Sequence, residues 1–197
     1  MMSPTNAQPD AQEQVTILVI EDEPAIRDIY RRWLEEEYDV RAAENGAEAI
    51  KKLDETVDVV LLDRRLPDIA GEELLADIRS QNLDCRVAIV STVEPDFDII
   101  ELGFDLYIEK PVTEPEMLQE AVATLLKRSE FDEKMQEFMS LASKKATLDA
   151  TKPSKELFRS DEYMDLLERV KYLRAELRDA TVALDDEDLR VSLAERD

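Results

Sequence analysis

Short apolar segments alternate with amphipathic ones over the first two thirds of the chain. Segments of five or six residues rich in aliphatic side chains are typical of strands; they are Thr16–Ile20, Tyr38–Ala42, Val57–Leu62, Arg86–Val90 and Asp105–Glu109. Apolar residues three and four positions apart predict helices between them, at Ala25–Glu36, Ala47–Leu53, Glu72–Ser80, Phe97–Leu102 and Glu114–Leu126. The alternation predicts a doubly wound α/β domain, with a five-stranded parallel sheet covered by helices on both faces.

The pattern changes after Lys127, where strand-like segments disappear and helical periodicity continues. An interruption near Thr147–Ser154, which contains Pro153, predicts a helical hairpin. In its second arm apolar residues repeat at steps of three and four, as in a coiled-coil seam: Tyr163, Leu166, Val170, Leu173, Leu177, Ala180 and Leu184. The seam fits either packing on the first arm of the same chain or a homodimer through residues 160–184, and the sequence leaves both open.

These changes divide the chain into a disordered tail (1–14), an α/β domain (15–128) and a helical domain (129–197). The formal net charge is −23, from 48 acidic and 25 basic residues. Such a surface repels nucleic acid, so direct DNA binding is not expected, and the helical domain contains no recognisable helix-turn-helix. Strong acidity with interspersed apolar residues is typical of proteins from salt-adapted cells, where salt screens the repulsion.

Several classes of site are excluded by residue types that the chain lacks. It contains no histidine and one cysteine, Cys85, which excludes an internal disulfide, the usual zinc sites and a Ser-His-Asp triad. Any bound metal ion must therefore be a hard one that prefers oxygen ligands. No apolar run reaches the length of a membrane span, and no secretory signal opens the chain, so we expect a cytoplasmic protein with no membrane partner.

Polar residues follow the predicted strands at their carboxyl ends, where parallel α/β sheets bind their ligands. They are Glu21 and Asp22 after the first strand, Asp63 after the third, Ser91 and Thr92 after the fourth, and Lys110 after the fifth. Clustered carboxylates repel one another unless a cation joins them, and without histidine or thiolate ligands that cation is Mg²⁺. The ammonium group of Lys110 is suited to neutralise a phosphoryl oxygen.

At these residues the chain resembles the receiver domain of two-component response regulators, over Val15–Arg128. Within V-D-V-V-L-L-D-R-R-L-P-D-I-A-G, Pro67 lies four residues after Asp63 and Gly71 eight residues after it, as in that family. The other matching elements are the acidic pair Glu21-Asp22, the segment V-A-I-V-S-T that ends at Thr92, and Lys110-Pro111. The resemblance implies a flavodoxin-like sheet with strand order 2-1-3-4-5.

The resemblance also implies a role for each residue of this group. Asp63 is the phosphoacceptor for a histidine kinase, and Mg²⁺ is held by Glu21, Asp22, Asp63 and the backbone carbonyl of Arg65. Asp63 and Lys110 are the catalytic pair, and Ser91, Thr92, Lys110 and Tyr107 bind the phosphoryl group or carry the switch. Ser91 replaces the commoner threonine, and Thr92 stands where a small residue is usual. A plain strand-end hydroxyl at Ser91 and an ordinary half-buried ring at Tyr107 are the alternatives.

The C-terminal segment resembles the HalX domain that follows receivers in halophilic archaea. The matching stretches are F-D-E-K-M-Q-E-F-M-S-L-A-S-K-K-A-T-L at Phe131–Leu148 and Y-M-D-L-L-E-R-V-K-Y-L-R-A-E-L at Tyr163–Leu177. This resemblance implies regulation of transcription, and the absence of a basic stripe favours a protein partner, for which the transcription machinery is a candidate. Two other functions are a constitutive protein–protein scaffold and a magnesium-dependent aspartyl-phosphate phosphatase or phosphotransferase. Such phosphatases use a general acid two residues after the nucleophile, and Arg65 at that position argues against an enzyme.

Overall fold

A computed structural model describes residues 14–93 and 102–193, the last twelve of them as backbone only. The chain forms two compact units, Met1–Leu126 and Lys127–Asp197. The predicted tail, apart from Gln14, lies outside the described residues, as does the predicted helix Phe97–Leu102 apart from Leu102. Among the helices that the structure describes, none combines the length and apolarity needed to cross a membrane.

The first unit contains a five-stranded parallel sheet in the order β2-β1-β3-β4-β5, which confirms the predicted fold class. The strands are β1 Thr16–Ile20, β2 Asp39–Ala43, β3 Val59–Leu62, β4 Arg86–Ser91 and β5 Leu106–Glu109. β3 begins two residues later than predicted because the amide of Val57 donates to the carbonyl of Asp54 in a turn (3.2 Å). The other strand ends agree with prediction to within one residue.

Helices cover both faces of this sheet, so neighbouring strand residues are buried on opposite sides. The helices are α1 Pro24–Leu34, α2 Gly46–Lys52, α3 Gly71–Ser80 and the beginning of α4 Pro115–Thr151. Leu18, Val60 and Leu62 pack in one core cluster with residues of α2 and α3. Ile17, Val59 and Leu61 pack in the other, with residues of α1 and α4. Burial on both faces fixes the register of the strands and therefore the positions of the polar residues that follow them.

Helix α4 is much longer than the sequence pattern predicted. A helix end was expected at Leu126, but α4 continues without interruption to Thr151. The buried stripe of its first turns includes Leu118, Val122 and Leu125, and beyond Leu126 no described residue of α4 is fully buried. The backbone hydrogen bonds of α4 continue beyond the end of this buried stripe, because the chain has no glycine or proline between Pro115 and Pro153.

The second unit is the helical hairpin that the sequence predicted. Its first arm is the later part of α4, followed by the short α5 Ser154–Leu157 and then α6 Asp161–Leu193. Side chains link the two arms at intervals. The bonds run from the hydroxyl of Tyr163 to Asp149 (2.6 Å), from Arg169 to Glu137 (2.7 Å) and from Lys134 to Glu176 (3.4 Å). The arms are therefore antiparallel.

The coiled-coil seam of α6 is buried within the single chain. Tyr163, Val170, Leu173 and Leu177 are buried, whereas Leu166 and Ala180 are half-buried; the Leu184 side chain lies outside the described residues. Intrachain packing, one of the two predicted arrangements, therefore accounts for the burial of these four side chains. A homodimer through residues 160–184 stays a prediction.

Truncation of Leu173 tests this packing. We expect Leu173→Ala to lower the free energy of unfolding of the hairpin by about 2–4 kcal/mol, because it leaves a cavity at a fully buried position. The neighbouring Tyr172 is 51% exposed, so Tyr172→Ala is the matched control and should have a small effect. Denaturant unfolding is followed by circular dichroism in high salt at two protein concentrations. A midpoint that rises with protein concentration would show that the seam needs a second chain.

Candidate functional site

Three of the polar residues that follow the strands are still hydrogen-bonded to the sheet, because the backbone hydrogen bonds between strands continue for one residue beyond the strand ends. The amide of Glu21 donates to the carbonyl of Ala43 (3.0 Å), and the amide of Asp63 donates to the carbonyl of Ile20 (3.0 Å). The amide of Lys110 likewise donates to the carbonyl of Ser91 (2.8 Å). The sheet therefore fixes the backbone from which each of these side chains extends.

Three carboxylates meet at this edge. Glu21, Asp22 and Asp63 each have a carboxylate oxygen within 4.8 Å of the others. Glu21 and Asp63 are buried, whereas Asp22 is exposed, so the group is open to solvent on one side. Hard oxygen ligands in this number suit Mg²⁺, which is held by a few carboxylates and retains several waters. The donor set thus fits the predicted ion.

Lys110 compensates the two buried carboxylates. Its ammonium nitrogen lies 2.6 Å from Glu21 Oε2 and 2.5 Å from Asp63 Oδ2, and its side chain is only 7% exposed. Burial raises the pKa of Glu21, and the ammonium of Lys110 opposes that rise only in part. Burial also acts to lower the pKa of Lys110, but its hydrogen bonds to Asp63 and Glu21 outweigh this and raise it. Lys110 is therefore protonated and positively charged at neutral pH.

The predicted switch residues are linked through Val93. Ser91 is fully buried at the end of β4, and its hydroxyl oxygen accepts a hydrogen bond from the amide of Val93 (3.2 Å). Tyr107 is half-buried; its hydroxyl donates to the carbonyl of Val93, and its ring packs edge-on against Phe104. Thr92 is exposed. The described side-chain hydrogen bonds of Ser91 and Tyr107 thus go to Val93 rather than to the carboxylates.

The loop after β3 folds back over Asp63. The amide of Arg65 donates to Asp63 Oδ1 (2.9 Å), which places the Arg65 backbone beside the carboxylate. The loop closes where the amide of Gly71 donates to the carbonyl of Arg64 (2.9 Å). A Cβ at residue 71 would lie 2.5 Å from the Cα of Arg64, so this closure requires glycine. The Arg64 side chain extends from the loop to a salt bridge with Glu72 in α3.

The sequence analysis did not single out Asp68, although the structure gives it a defined role in this loop. Its two carboxylate oxygens accept hydrogen bonds from the amides of Gly46 and Ala47, each 2.9 Å long, at the first turn of α2. These bonds lower the pKa of Asp68. The only sequence signal nearby was Asn45 followed by Glu48, which marks the start of a helix but not a contact with a loop more than twenty residues away.

Two family models match the chain. The response regulator receiver domain matches residues 17–123, which is more than half of the 197 residues. The HalX domain matches residues 127–193.

Individual proteins with similar sequences or structures point the same way. A Haloferax volcanii protein named "Putative transcriptional regulator" is 46% identical over 84% of this chain and 28% of its own length. The Bacillus subtilis alkaline phosphatase synthesis transcriptional regulatory protein PhoP is 36% identical over 58% of this chain and 49% of its own length. The chain therefore spans less than half the length of either relative. A crystal structure of a CheY-like response regulator receiver domain protein from Methanospirillum hungatei has a TM-score of 0.55 and 28% identity, and the match covers 59% of this chain and 97% of that one.

Proposed function

Since the chain belongs to the response regulator receiver domain family, we propose that it is the phosphorylation-switched component of a two-component system, with Asp63 as phosphoacceptor and Mg²⁺ as cofactor. The observation that carries this proposal is the group of three carboxylates at the carboxyl edge of the sheet, two of which, Glu21 and Asp63, are bridged by one buried ammonium. Asp63 belongs to this group, and the exposed Asp22 lies at its open side. The other predicted ligand of the cation is the Arg65 carbonyl.

Phosphoryl transfer to Asp63 follows from this chemistry. An Asp63 oxygen attacks the phosphorus of a phosphohistidine in the partner kinase; a P–O bond forms, the P–N bond breaks, and the histidine nitrogen leaves with the electron pair. Bound Mg²⁺ would neutralise charge on the transferred group. Lys110 moves from its ion pair with Asp63 to an oxygen of the phosphoryl group, because the aspartate charge is then consumed in the acyl phosphate. Glu21 keeps Lys110 in the site during this exchange.

Val93 connects the phosphoacceptor edge to the switch residues. The hydroxyl oxygen of Ser91 accepts a hydrogen bond from the amide of Val93 at 3.2 Å, and a charged phosphoryl oxygen is a strong acceptor for the hydroxyl proton. Rotation of Ser91 toward the phosphoryl group releases the amide of Val93, whose carbonyl holds the hydroxyl of Tyr107. Phosphorylation is thereby coupled to the conformation of Tyr107 at the surface of the domain.

The HalX hairpin supplies the output in this proposal. Its resemblance and the name of the Haloferax relative support regulation of transcription through a protein partner. Residues 129–197 carry 18 acidic and 12 basic residues, which favours contact with proteins over contact with DNA. The hairpin is the segment through which a homodimer or a transcription-machinery partner would respond to the receiver.

Metal removal tests the proposal directly. We expect the intact mass of the chain to rise by one phosphoryl group after incubation with acetyl phosphate and Mg²⁺ in high salt. The same incubation with a chelator in place of Mg²⁺ should leave the mass unchanged, because the carboxylates then repel the incoming phosphoryl oxygens. An unmodified protein in the presence of Mg²⁺ would favour a constitutive scaffold, and modification that is indifferent to the chelator would contradict the metal site.

A further inference from the structure

We propose that Asp68 is a positioning residue for the cation site: its carboxylate fastens the loop after β3 to the first turn of α2 and so holds Asp63 and the Arg65 backbone in place. This inference rests on the proposed function, because it concerns the same cation. Asp68 lies outside the carboxylate group that would hold the ion, and it acts through the loop that joins it to Asp63.

The contact is bidentate. Oδ1 of Asp68 accepts from the amide of Gly46 and Oδ2 from the amide of Ala47, both at 2.9 Å. Both carboxylate oxygens are therefore engaged, which fixes the direction of the side chain as well as its distance. The amides belong to the first turn of a helix, where the helix dipole strengthens their attraction for a negative charge.

The strand order explains why the contact between Asp68 and α2 affects the cation site. β1 lies between β2 and β3, and the register pairs Ile20 with Ala43 on one side and with Leu62 on the other, so the three strands end level. The loops that follow β2 and β3 thus lie on either side of the acidic pair that follows β1. A bond from the loop after β3 to the start of α2 therefore ties together the two segments that flank Glu21 and Asp22 in the sheet order.

Close backbone packing accompanies the bond. A Cβ at residue 46 would lie 2.3 Å from Cγ2 of Ile69, the residue next to Asp68. The loop therefore approaches α2 as closely as a glycine permits. At the other end of the loop, Gly71 permits the same close approach to Arg64. The loop after β3 is thus held at two points. Asp68 bonds to the first turn of α2, and the amide of Gly71 bonds back to the carbonyl of Arg64.

Helix α2 has a cap of its own, so the bond to Asp68 serves the loop. Asn45 is the N-cap residue, and its side chain accepts from the amide of Glu48 (2.8 Å). Glu48 in turn accepts from the amide of Glu44 (2.9 Å), the residue before the N-cap, which adds a second side-chain bond at this helix end. Removal of Asn45 weakens the same helix without freeing the loop, which makes it the matched control.

The test is the affinity of the full-length protein for Mn²⁺, a spectroscopic substitute for Mg²⁺, measured by electron paramagnetic resonance with Mg²⁺ competition. We expect Asp68→Ala to weaken Mn²⁺ binding about tenfold, in the range for groups that orient metal ligands without touching the metal. Asn45→Ala should bind as the wild type does. Asp68→Asn keeps one acceptor oxygen and should fall between the wild type and Asp68→Ala.

The possible outcomes distinguish the positioning role of Asp68 from the proposed function of the cation site. Equal losses in Asp68→Ala and Asn45→Ala would mean that Asp68 is only a second helix cap, and unchanged affinity in Asp68→Ala would overturn the positioning role while leaving the cation site intact. Wild-type protein that binds no Mn²⁺, or whose bound Mn²⁺ is not displaced by Mg²⁺, would overturn the proposed function itself. All affinities are measured below the unfolding transition of the least stable variant, so an unfolded protein cannot imitate a loose site.

Discussion

Asp63→Asn is expected to accept no phosphoryl group from acetyl phosphate under conditions in which the wild type is modified. The amide oxygen of asparagine carries no negative charge and is a weak nucleophile, so the bond to phosphorus does not form. The substitution keeps the size of the side chain and an oxygen that accepts from the amide of Arg65, as Asp63 Oδ1 does in the wild type at 2.9 Å. The loss is therefore one of chemistry rather than of loop structure, and intact mass spectrometry measures it.

Asp28→Asn is the matched control for this variant, because Asp28 is an exposed aspartate in α1. It should be modified as fully as the wild type. Peptide mapping after borohydride trapping of the acyl phosphate then identifies the modified residue in each protein. Modification of Asp63→Asn at a neighbouring acid such as Asp22 would assign the nucleophile to the acidic group as a whole and contradict the role of Asp63.

The strands and their polar ends were predictable because both depend on local sequence. A run such as Val59–Leu62 has no polar residue to expose, so a position in the middle of the sheet is the arrangement that buries all of it. Once the strands are parallel, the residues after them share one edge. The closeness of Glu21, Asp22 and Asp63 therefore needed no knowledge of their side-chain contacts.

The unbroken passage of α4 across Lys127 could not be read from the same pattern. Hydrophobic periodicity reports which face of a helix is covered, and that face changes near Lys127 while the backbone continues. A helix end needs its own signal, and the first proline after Pro115 is Pro153. The predicted helix end at Leu126 was wrong, because the buried face of the helix ends there while the helical backbone continues.

Asp68 was missed for a different reason. Its partners are backbone amides of Gly46 and Ala47, which every non-proline residue carries, so no side-chain type identifies them in the sequence. Arg64 is a similar case, because its salt bridge with Glu72 depends on the turn that the loop makes at Gly71. Contacts that support a site through a loop become visible only when the loop's path is known.

Lys110→Met is expected to slow phosphorylation of Asp63 about a hundredfold or more. The ammonium of Lys110 lies 2.5 Å from Asp63 Oδ2. Among the described residues it is the side-chain cation that donates hydrogen bonds to the carboxylates of Asp63 and Glu21. Loss of a preorganised donor that faces developing charge has a cost of this order. Methionine keeps the length and the apolar stem of the side chain, so the packing around the site is preserved. The rate is measured by mass spectrometry over time at saturating Mg²⁺.

The same substitution should act on the cation in the opposite direction, which separates a loss of charge from a loss of structure. Glu21 and Asp63 have side chains only 3% and 9% exposed, and in the part of the chain that the structure describes Lys110 is the side-chain cation that pairs with their carboxylates, so a bound ion would replace its charge in the variant. Mn²⁺ affinity in Lys110→Met should therefore rise, although phosphorylation slows, whereas Lys51→Met at an exposed position of α2 should change neither. A variant that binds the cation more weakly and is phosphorylated slowly has a disordered site, and that result would contradict the division of roles between lysine and metal.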